Sequence, residues 1–374
     1  MILAKKVRLK PTPEQEKQLW KSAGTARWAY NWALNRQQAN YENGGKFIPD
    51  EDLRKELTLL KQTEEYAWLY EVSNNVTKQA IKDACEAFKK FFKKKAKYPQ
   101  FKSRKRSKPA FYNDTVKLKV QENRVLIEKV GWIETAEKLP MHTKYTQPRL
   151  SFDGKYWYIA VGVEQKTAAV ELADVTLGID LGVKDLAVRS DGIKHKNINK
   201  TKAVRKMKKR LRRLQRSVSR KYEMNKEGSR YAKTSNIVKQ EKQIRLLHRK
   251  LANTRNNHIH QVTNSIVKTK PSKIVIEDLN VSGMMKNKYL SKAVAEQKLH
   301  DFKAKLSYKC EKNGIVLVEA DRWFPSSKMC SSCGGVKKEL KLSDRVYVCS
   351  CGLSMDRDLN ASINLSRYGK QLAI

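Results

Sequence analysis

Four cysteines, Cys330, Cys333, Cys349 and Cys351, fall within 22 residues near the end of a 374-residue chain. They form two close pairs, Cys330-x-x-Cys333-Gly334 and Cys349-x-Cys351-Gly352, separated by fifteen residues. That spacing predicts a tetrahedral Cys₄ zinc ribbon. Four free thiols would leave a short polar loop with no core of its own, and zinc supplies the missing folding energy. Four thiolates leave no open coordination position, so the zinc is expected to be structural. The second pair is C-x-C, a tighter bite than the commoner C-x-x-C. The other two cysteines, Cys85 and Cys310, stand alone. The opening MILAKKVRLKPTPEQEKQLW has no long apolar segment of the secretory kind. A reducing, cytoplasmic setting is therefore expected, in which clustered thiols read as metal ligands and not as disulfides.

Directly after the second thiol pair the chemistry changes. Asp356 and Asp358 follow in CGLSMDRDLNASINL, at the start of an expected helix. Carboxylates suit hard cations such as Mg²⁺, whereas thiolates suit softer metals. Two further acid sites end or follow apolar runs: Asp180 in LGIDLG, and Glu277 in KIVIEDLN with Asp278 behind it. Gly178 and Gly182 beside Asp180 permit close approach of another backbone or a ligand. An acid after a β-run is costly unless it is solvated, paired or metal-bound. Three such sites on separate strands and a helix of one α/β sheet, brought together, could hold two divalent ions about 3.5–4 Å apart for phosphodiester hydrolysis. The residues alone are equally compatible with strand-end and helix caps.

Lys and Arg number 79 against 38 acids, a formal charge of +41. Such an excess repels itself unless it meets a polyanion. Nucleic acid is the expected partner, ahead of an anionic membrane surface. No run of about 18 apolar residues is present, so no membrane span is expected. Lys89 to Lys108 carries eleven Lys/Arg and no acid, interleaved with Phe91, Phe92, Tyr98 and Phe101. Residues 200–255 carry 21 Lys/Arg and three acids. Phosphate contacts are expected at Lys93, Lys94, Lys95, Arg104, Lys105 and Arg106 in the first tract, and at Lys209, Arg210, Arg212 and Arg213 in the second.

Residues 1–10 alternate loosely and predict a strand. Thr12-Pro13-Glu14-Gln15 is a helix start. Further helices are expected near 50–61 and from Ser73 to about Lys95, the latter with a stripe of Val76, Ala80, Ala84, Ala87, Phe88 and Phe91. From 115 to 165 the period becomes two. TVKLKV-QENR-VLIEKV predicts one hairpin, and RLSFDGKYWYIAVGVE another that turns at Asp153-Gly154. These strands suggest a small barrel or sheet that residues 1–10 could join, with the helices as an insertion. Beyond 175 the pattern is α/β: VTLGIDLGVKDLAV as two strands, a basic helical hairpin over 200–255, strands at 273–280 and 314–321, a helix at 291–312 and a last helix after Asp358.

GIDLGVKDLAV, IVIEDLNVSGM, RWFPSSKMCSSCG and CGLSMDRDLNASINL together resemble the sequence blocks of TnpB (OrfB), the transposon-encoded RNA-guided nucleases related to type V CRISPR effectors. KVRLKPTPEQEKQLW and YNWALN are similar to the family's start, so the resemblance covers nearly the whole chain. It implies an α/β multidomain protein: an RNase H-like (RuvC) nuclease domain with a zinc-ribbon insertion, and an N-terminal β-barrel (wedge) domain interrupted by a helical recognition domain. The implied boundaries are 1–10 and 111–172 for the wedge and 11–110 for the helical domain. They are 173–324 and 353–374 for the nuclease, and 325–352 for the zinc-ribbon insert that contributes to nucleic-acid binding. The resemblance places the catalytic, magnesium-binding acids at Asp180, Glu277 and Asp358, with Asp356 as runner-up for the third. It implies two Mg²⁺ ions with Mn²⁺ as a substitute, structural Zn²⁺ on the four cysteines, and a guide RNA from the transposon end. The implied partners are that RNA and double-stranded target DNA beside a short adjacent motif, with one protein per RNA, in a prokaryotic, nucleoid-associated setting. The rival readings are an RNA-guided DNA-binding repressor, a guide-independent transposase accessory protein and a structural RNA-binding zinc protein.

Overall fold

The computed structural model describes residues 1–141, 143–165, 170–341 and 343–372. The chain divides into two units, residues 1–165 and 166–374.

The first unit opens with strand β1 (Ile2–Lys10), which ends where Thr12 caps helix α1 (Pro13–Glu42). Thr12 Oγ1 accepts the Gln15 N–H at 3.3 Å, and Gln15 Oε1 accepts the Thr12 N–H at 3.0 Å, a reciprocal capping box. Helices α2 (Asp50–Leu60) and α3 (Asn74–Phe92) follow, the second capped by Ser73. Then come strands β2 (Ala110–Tyr112), β3 (Lys119–Gln121), β4 (Arg124–Ile127), β5 (Gly131–Thr135), β6 (Tyr145–Phe152) and β7 (Trp157–Glu164). They form a seven-stranded sheet with β1, in the order β2-β6-β7-β1-β5-β4-β3. Alternate residues of β7, Trp157, Ile159, Val161 and Val163, are buried with Leu19, Ala29, Leu34, Ile81 and Ala84 of the helices. The expected first hairpin is shorter than its alternation suggests. Asp114 Oδ1 accepts the Val116 N–H at 2.7 Å and bends residues 115–117 into a turn, so pairing begins only at Lys119.

The second unit holds strands β8 (Ala173–Leu181), β9 (Asp185–Arg189) and β10 (Lys194–Lys196), and then helix α4 (Lys202–Met224). A small hairpin, β11 (Lys226–Glu227) and β12 (Arg230–Tyr231), leads to helix α5 (Ser235–Val267). Strand β13 (Pro271–Glu277) precedes helices α6 (Val281–Met284), α7 (Ser291–Gln297) and α8 (Leu299–Lys312), and strand β14 (Val316–Ala320). The chain ends with β15 (Val346–Val348), β16 (Ser354–Asp356) and helix α9 (Arg357–Gln371). The main sheet has the order β10-β9-β8-β13-β14, with β13 parallel to both β8 and β14. Two helices differ from expectation. α5 runs to Val267, well past 255, because Ile259, Val262 and Ile266 bury against the sheet. The single helix expected over 291–312 is split, because Lys298 is left-handed, at φ 57°.

Period two sorts this sheet into faces. Leu177, Ile179 and Leu181 of β8, with Ile274 and Ile276 of β13, pack against α5 and α8. The intervening residues face α9, whose Leu365 packs with Val275 and Ala320. Glycine is required at Gly178, where a Cβ would stand 2.0 Å from the Ser362 carbonyl oxygen and 2.4 Å from the Ser366 nitrogen. α9 therefore lies directly on the backbone of β8.

Candidate active site

Asp180 follows Gly178 by two residues and so shares the face that α9 covers. Glu277 follows Val275 by two residues and lies on the same face of the adjacent parallel strand. The register pairs Ile276 with Ile179, so the two acids stand one step further on, at the same edge. Neighbouring strands are about 4.8 Å apart. Asp358 lies one turn before Ser362 in α9, which brings its carboxylate to that edge as well. The electrostatics agree with the geometry. Burial pushes the Asp180 carboxyl well above its usual range, and the Glu277 and Asp358 carboxylates push it further. Glu277 is raised too, mainly by burial, with Ser326 and Arg357 opposing and Asp358 adding to the rise. Asp180 and Glu277 are both raised, with Asp358 adding to each rise and Arg357 only partly opposing it, the electrostatic condition that a divalent cation relieves.

Asp356 has other partners. It caps α9, accepting the N–H groups of Asp358 and Leu359 at 3.0 and 3.1 Å, and it pairs with Lys194 at 2.6 Å. Burial alone would raise its carboxyl, but Lys194 and the helix N–H groups hold it below the usual value. Asp278 pairs with Arg322. A cleft of about 230 Å³ opens beside Glu277, lined among others by Leu181, Leu279, His300, Lys303 and Arg322.

The four thiols converge. The Sγ atoms of Cys330, Cys333, Cys349 and Cys351 all lie within 4.8 Å of one another. Cys330 and Cys351 are 3.6 Å apart, and Cys333 and Cys349 are 3.7 Å apart. A tetrahedron with zinc–sulfur bonds of about 2.3 Å has edges of about 3.8 Å, so this donor set fits zinc. Burial opposes ionisation of Cys330, yet the backbone N–H groups of Cys333 and Ser332 and the neighbouring thiols bring it down to about 6. The C-x-C pair lies in the turn that joins β15 to β16, and Gly352 directly after it has φ 92°.

The ten basic residues singled out in the sequence are all exposed: Lys93, Lys94 and Lys95 just past α3, Arg104, Lys105 and Arg106 in turns, and Lys209, Arg210, Arg212 and Arg213 on α4. Among the interleaved aromatics, Tyr98 packs on Phe88 and Phe91 at 5.6 and 5.2 Å and Phe92 also packs on Phe88, yet Phe92, Tyr98 and Phe101 all remain exposed. Sequence reasoning missed Ser326, whose hydroxyl donates to Glu277 Oε1, and the buried pair Asn360 and Asn364. Ser326 lies in a loop with no periodicity, so only its place in the quoted RWFPSSKMC block could have pointed to it.

Comparison with known proteins places the fold and the chain. Residues 300–365 match the family model described as Cas12f1-like, TNB domain. Residues 158–288 match the model "Probable transposase", and residues 1–46 match one described as a helix-turn-helix domain. In this chain the last segment forms β1 and the single helix α1. The structure is similar to that of a Cas12f1–sgRNA–target DNA complex, with a TM-score of 0.58 at 13% identity over 94% of this chain and 82% of that one. It is also similar to the mini-RNA-guided endonuclease CRISPR-Cas_phi3, with a TM-score of 0.51 at 10% identity over 98% and 92% of the two chains. The mixed α/β fold is that of these effectors. By sequence, the chain is 32% identical to a Streptomyces pristinaespiralis protein named "Putative RNA-guided DNA endonuclease", over 97% of this chain and 88% of the relative. It is 31% identical to InsQ of Escherichia coli, which carries the same description, over 98% and 92%. The chain belongs to the TnpB (OrfB) family, related to the type V effectors.

Proposed function

We propose that this protein is a transposon-associated, RNA-guided DNA endonuclease of RuvC type. The observation that carries the reading is the convergence of Asp180, Glu277 and Asp358 on one sheet edge, where burial first and the other two acids next raise the Asp180 carboxyl. Its relatives' names as RNA-guided DNA endonucleases support the same reading.

In this reading Asp180, Glu277 and Asp358 are the catalytic acids. When bound there, two Mg²⁺ ions, or Mn²⁺ in their place, supply the positive charge that favours attack on a phosphodiester and departure of its 3′-oxygen. The three carboxylates hold that charge at a fixed edge, and Asp356 fixes the first turn of α9 from which Asp358 projects. Products are expected to carry 5′-phosphate and 3′-hydroxyl ends. Cys330, Cys333, Cys349 and Cys351 hold a structural zinc. The exposed Lys93–Lys95 and Arg104–Arg106 groups, with Lys209, Arg210, Arg212 and Arg213, contact phosphates of the guide and target. Base pairing with the guide selects the sequence, while protein reads duplex shape and a short flanking motif. Residues 1–10 and 111–172 are assigned to the wedge and 11–110 to the recognition domain. Residues 173–324 and 353–374 are assigned to the nuclease, and 325–352 to the ribbon. One protein per RNA is favoured, in a nucleoid-associated setting.

The test is to purify the protein from a host carrying its transposon and sequence the bound RNA. A discrete species from the transposon end is expected. No bound RNA, together with strand transfer of transposon ends, would instead establish a guide-independent transposase. Bound RNA and target binding without cleavage would establish a repressor.

A further inference from the structure

Between β14 and the first zinc knuckle runs a strap, residues 326–331, that touches both candidate metal sites. At one end the buried Ser326 hydroxyl donates to Glu277 Oε1. At the other, Cys330 belongs to the thiol cluster. Two α9 side chains one turn apart clasp the strap between these ends. Asn364 Nδ2 donates to the carbonyl oxygens of Ser326 at 2.8 Å and Met329 at 2.7 Å. Asn360 Nδ2 donates to the Met329 carbonyl at 2.7 Å, and Asn360 Oδ1 accepts the Ser331 N–H at 2.9 Å. Both asparagines are buried, at 0% and 1% exposure, and Asn364 Oδ1 has no partner among the described residues. A buried amide that leaves its own acceptor unpaired is costly. Its two donations to the strap are what offset that cost. The helix that grips the strap is also the helix that carries Asp358.

We propose that Ser326 is a positioning residue that fixes the Glu277 carboxylate for divalent-cation binding, and that the strap makes this fixation depend on the zinc ribbon. The inference rests on the reading of Asp180, Glu277 and Asp358 as a cation site. A carboxylate at a strand end has free χ angles. A hydroxyl anchored through its own backbone to α9 selects one of their settings, as partners of metal ligands do. Loosening the ribbon frees the Cys330 end of the strap, and Ser326 then no longer holds a fixed place against Glu277.

The experiment is Mn²⁺ titration of the full-length, zinc-loaded protein, freed of nucleic acid, followed by electron paramagnetic resonance. Wild type should bind Mn²⁺ and Asp180→Asn should lose that binding. Ser326→Ala should weaken it about tenfold, with zinc content and Tm unchanged, and Ser326→Thr, which keeps the hydroxyl, should restore it. Cys333→Ser should weaken Mn²⁺ binding in wild type and add little in the Ser326→Ala background, the mark of one shared path. Equal Mn²⁺ affinity in Ser326→Ala and wild type would overturn the role of Ser326. Independent losses in the Cys333→Ser pair would overturn the coupling. A wild type that binds no more Mn²⁺ than Asp180→Asn would remove the cation site itself, and Ser326's role with it.

Discussion

Asp180 ends a buried strand with two other acids as neighbours, and this has a consequence for stability. Its carboxyl is raised above the ordinary aspartate value of 3.8 by burial first and by Glu277 and Asp358 next. Below that value the group is protonated in both folded and unfolded chains. As pH rises past it, the unfolded chain releases its proton first, the folded chain binds more protons, and stability falls until the raised folded value is passed. Without added divalent cation, Asp180 should therefore contribute a fall in Tm with rising pH to the thermal melts of wild type. Asp180→Asn should flatten that fall, and a steeper fall in the variant would contradict the assignment. Asp180 and Glu277 were legible as candidates because each follows an apolar run with the period of a strand. The choice of Asp358 over Asp356 was not legible from residue chemistry, since both acids open the same helix. The two acids have different partners: Asp356 takes Lys194 and the helix N–H groups and acts only weakly on Asp180, whereas Asp358 acts on both Asp180 and Glu277.

At the scale of elements, the site depends on how closely α9 rests on β8. Gly178→Ala would put a Cβ 2.0 Å from the Ser362 carbonyl oxygen, and helix backbone cannot swing aside as a side chain can. The substitution should cost about 3 kcal/mol or more and lower Tm by several degrees in a thermal melt. The thiol pairs make a second prediction. Cys330→Ser should release about one zinc per chain, measured by metal analysis, and lower Tm. Unchanged zinc content would remove the ribbon. Elements with local chemical signals were readable from sequence: the Thr12–Gln15 capping box and the turn at Asp153-Gly154 both stand in the structure. The break at Lys298 was not, because a lysine in the left-handed region carries no signal of its own; the packing of Val294 and Leu299 on either side sets it. The extension of α5 to Val267 was likewise decided by tertiary burial and not by its polar sequence.

For the whole molecule, the +41 charge is the dominant fact. Among the described residues no helix is long and apolar enough to cross a membrane. The acids are paired locally with a minority of the cations, and the basic tracts past α3 and along α4 stay exposed. Binding of the RNA-free protein to non-specific DNA should therefore fall steeply and linearly on a log–log plot against salt. A flat response would show that these tracts do not contact phosphates. The central claim is tested most directly by incubating the protein–RNA complex with guide-matched duplex DNA in magnesium and resolving the product ends. Wild type should cut to 5′-phosphate and 3′-hydroxyl ends only when magnesium is present, while Asp180→Ala binds the same duplex and leaves it intact. Cleavage by Asp180→Ala at the wild-type rate, or none by wild type at any magnesium concentration, would contradict it.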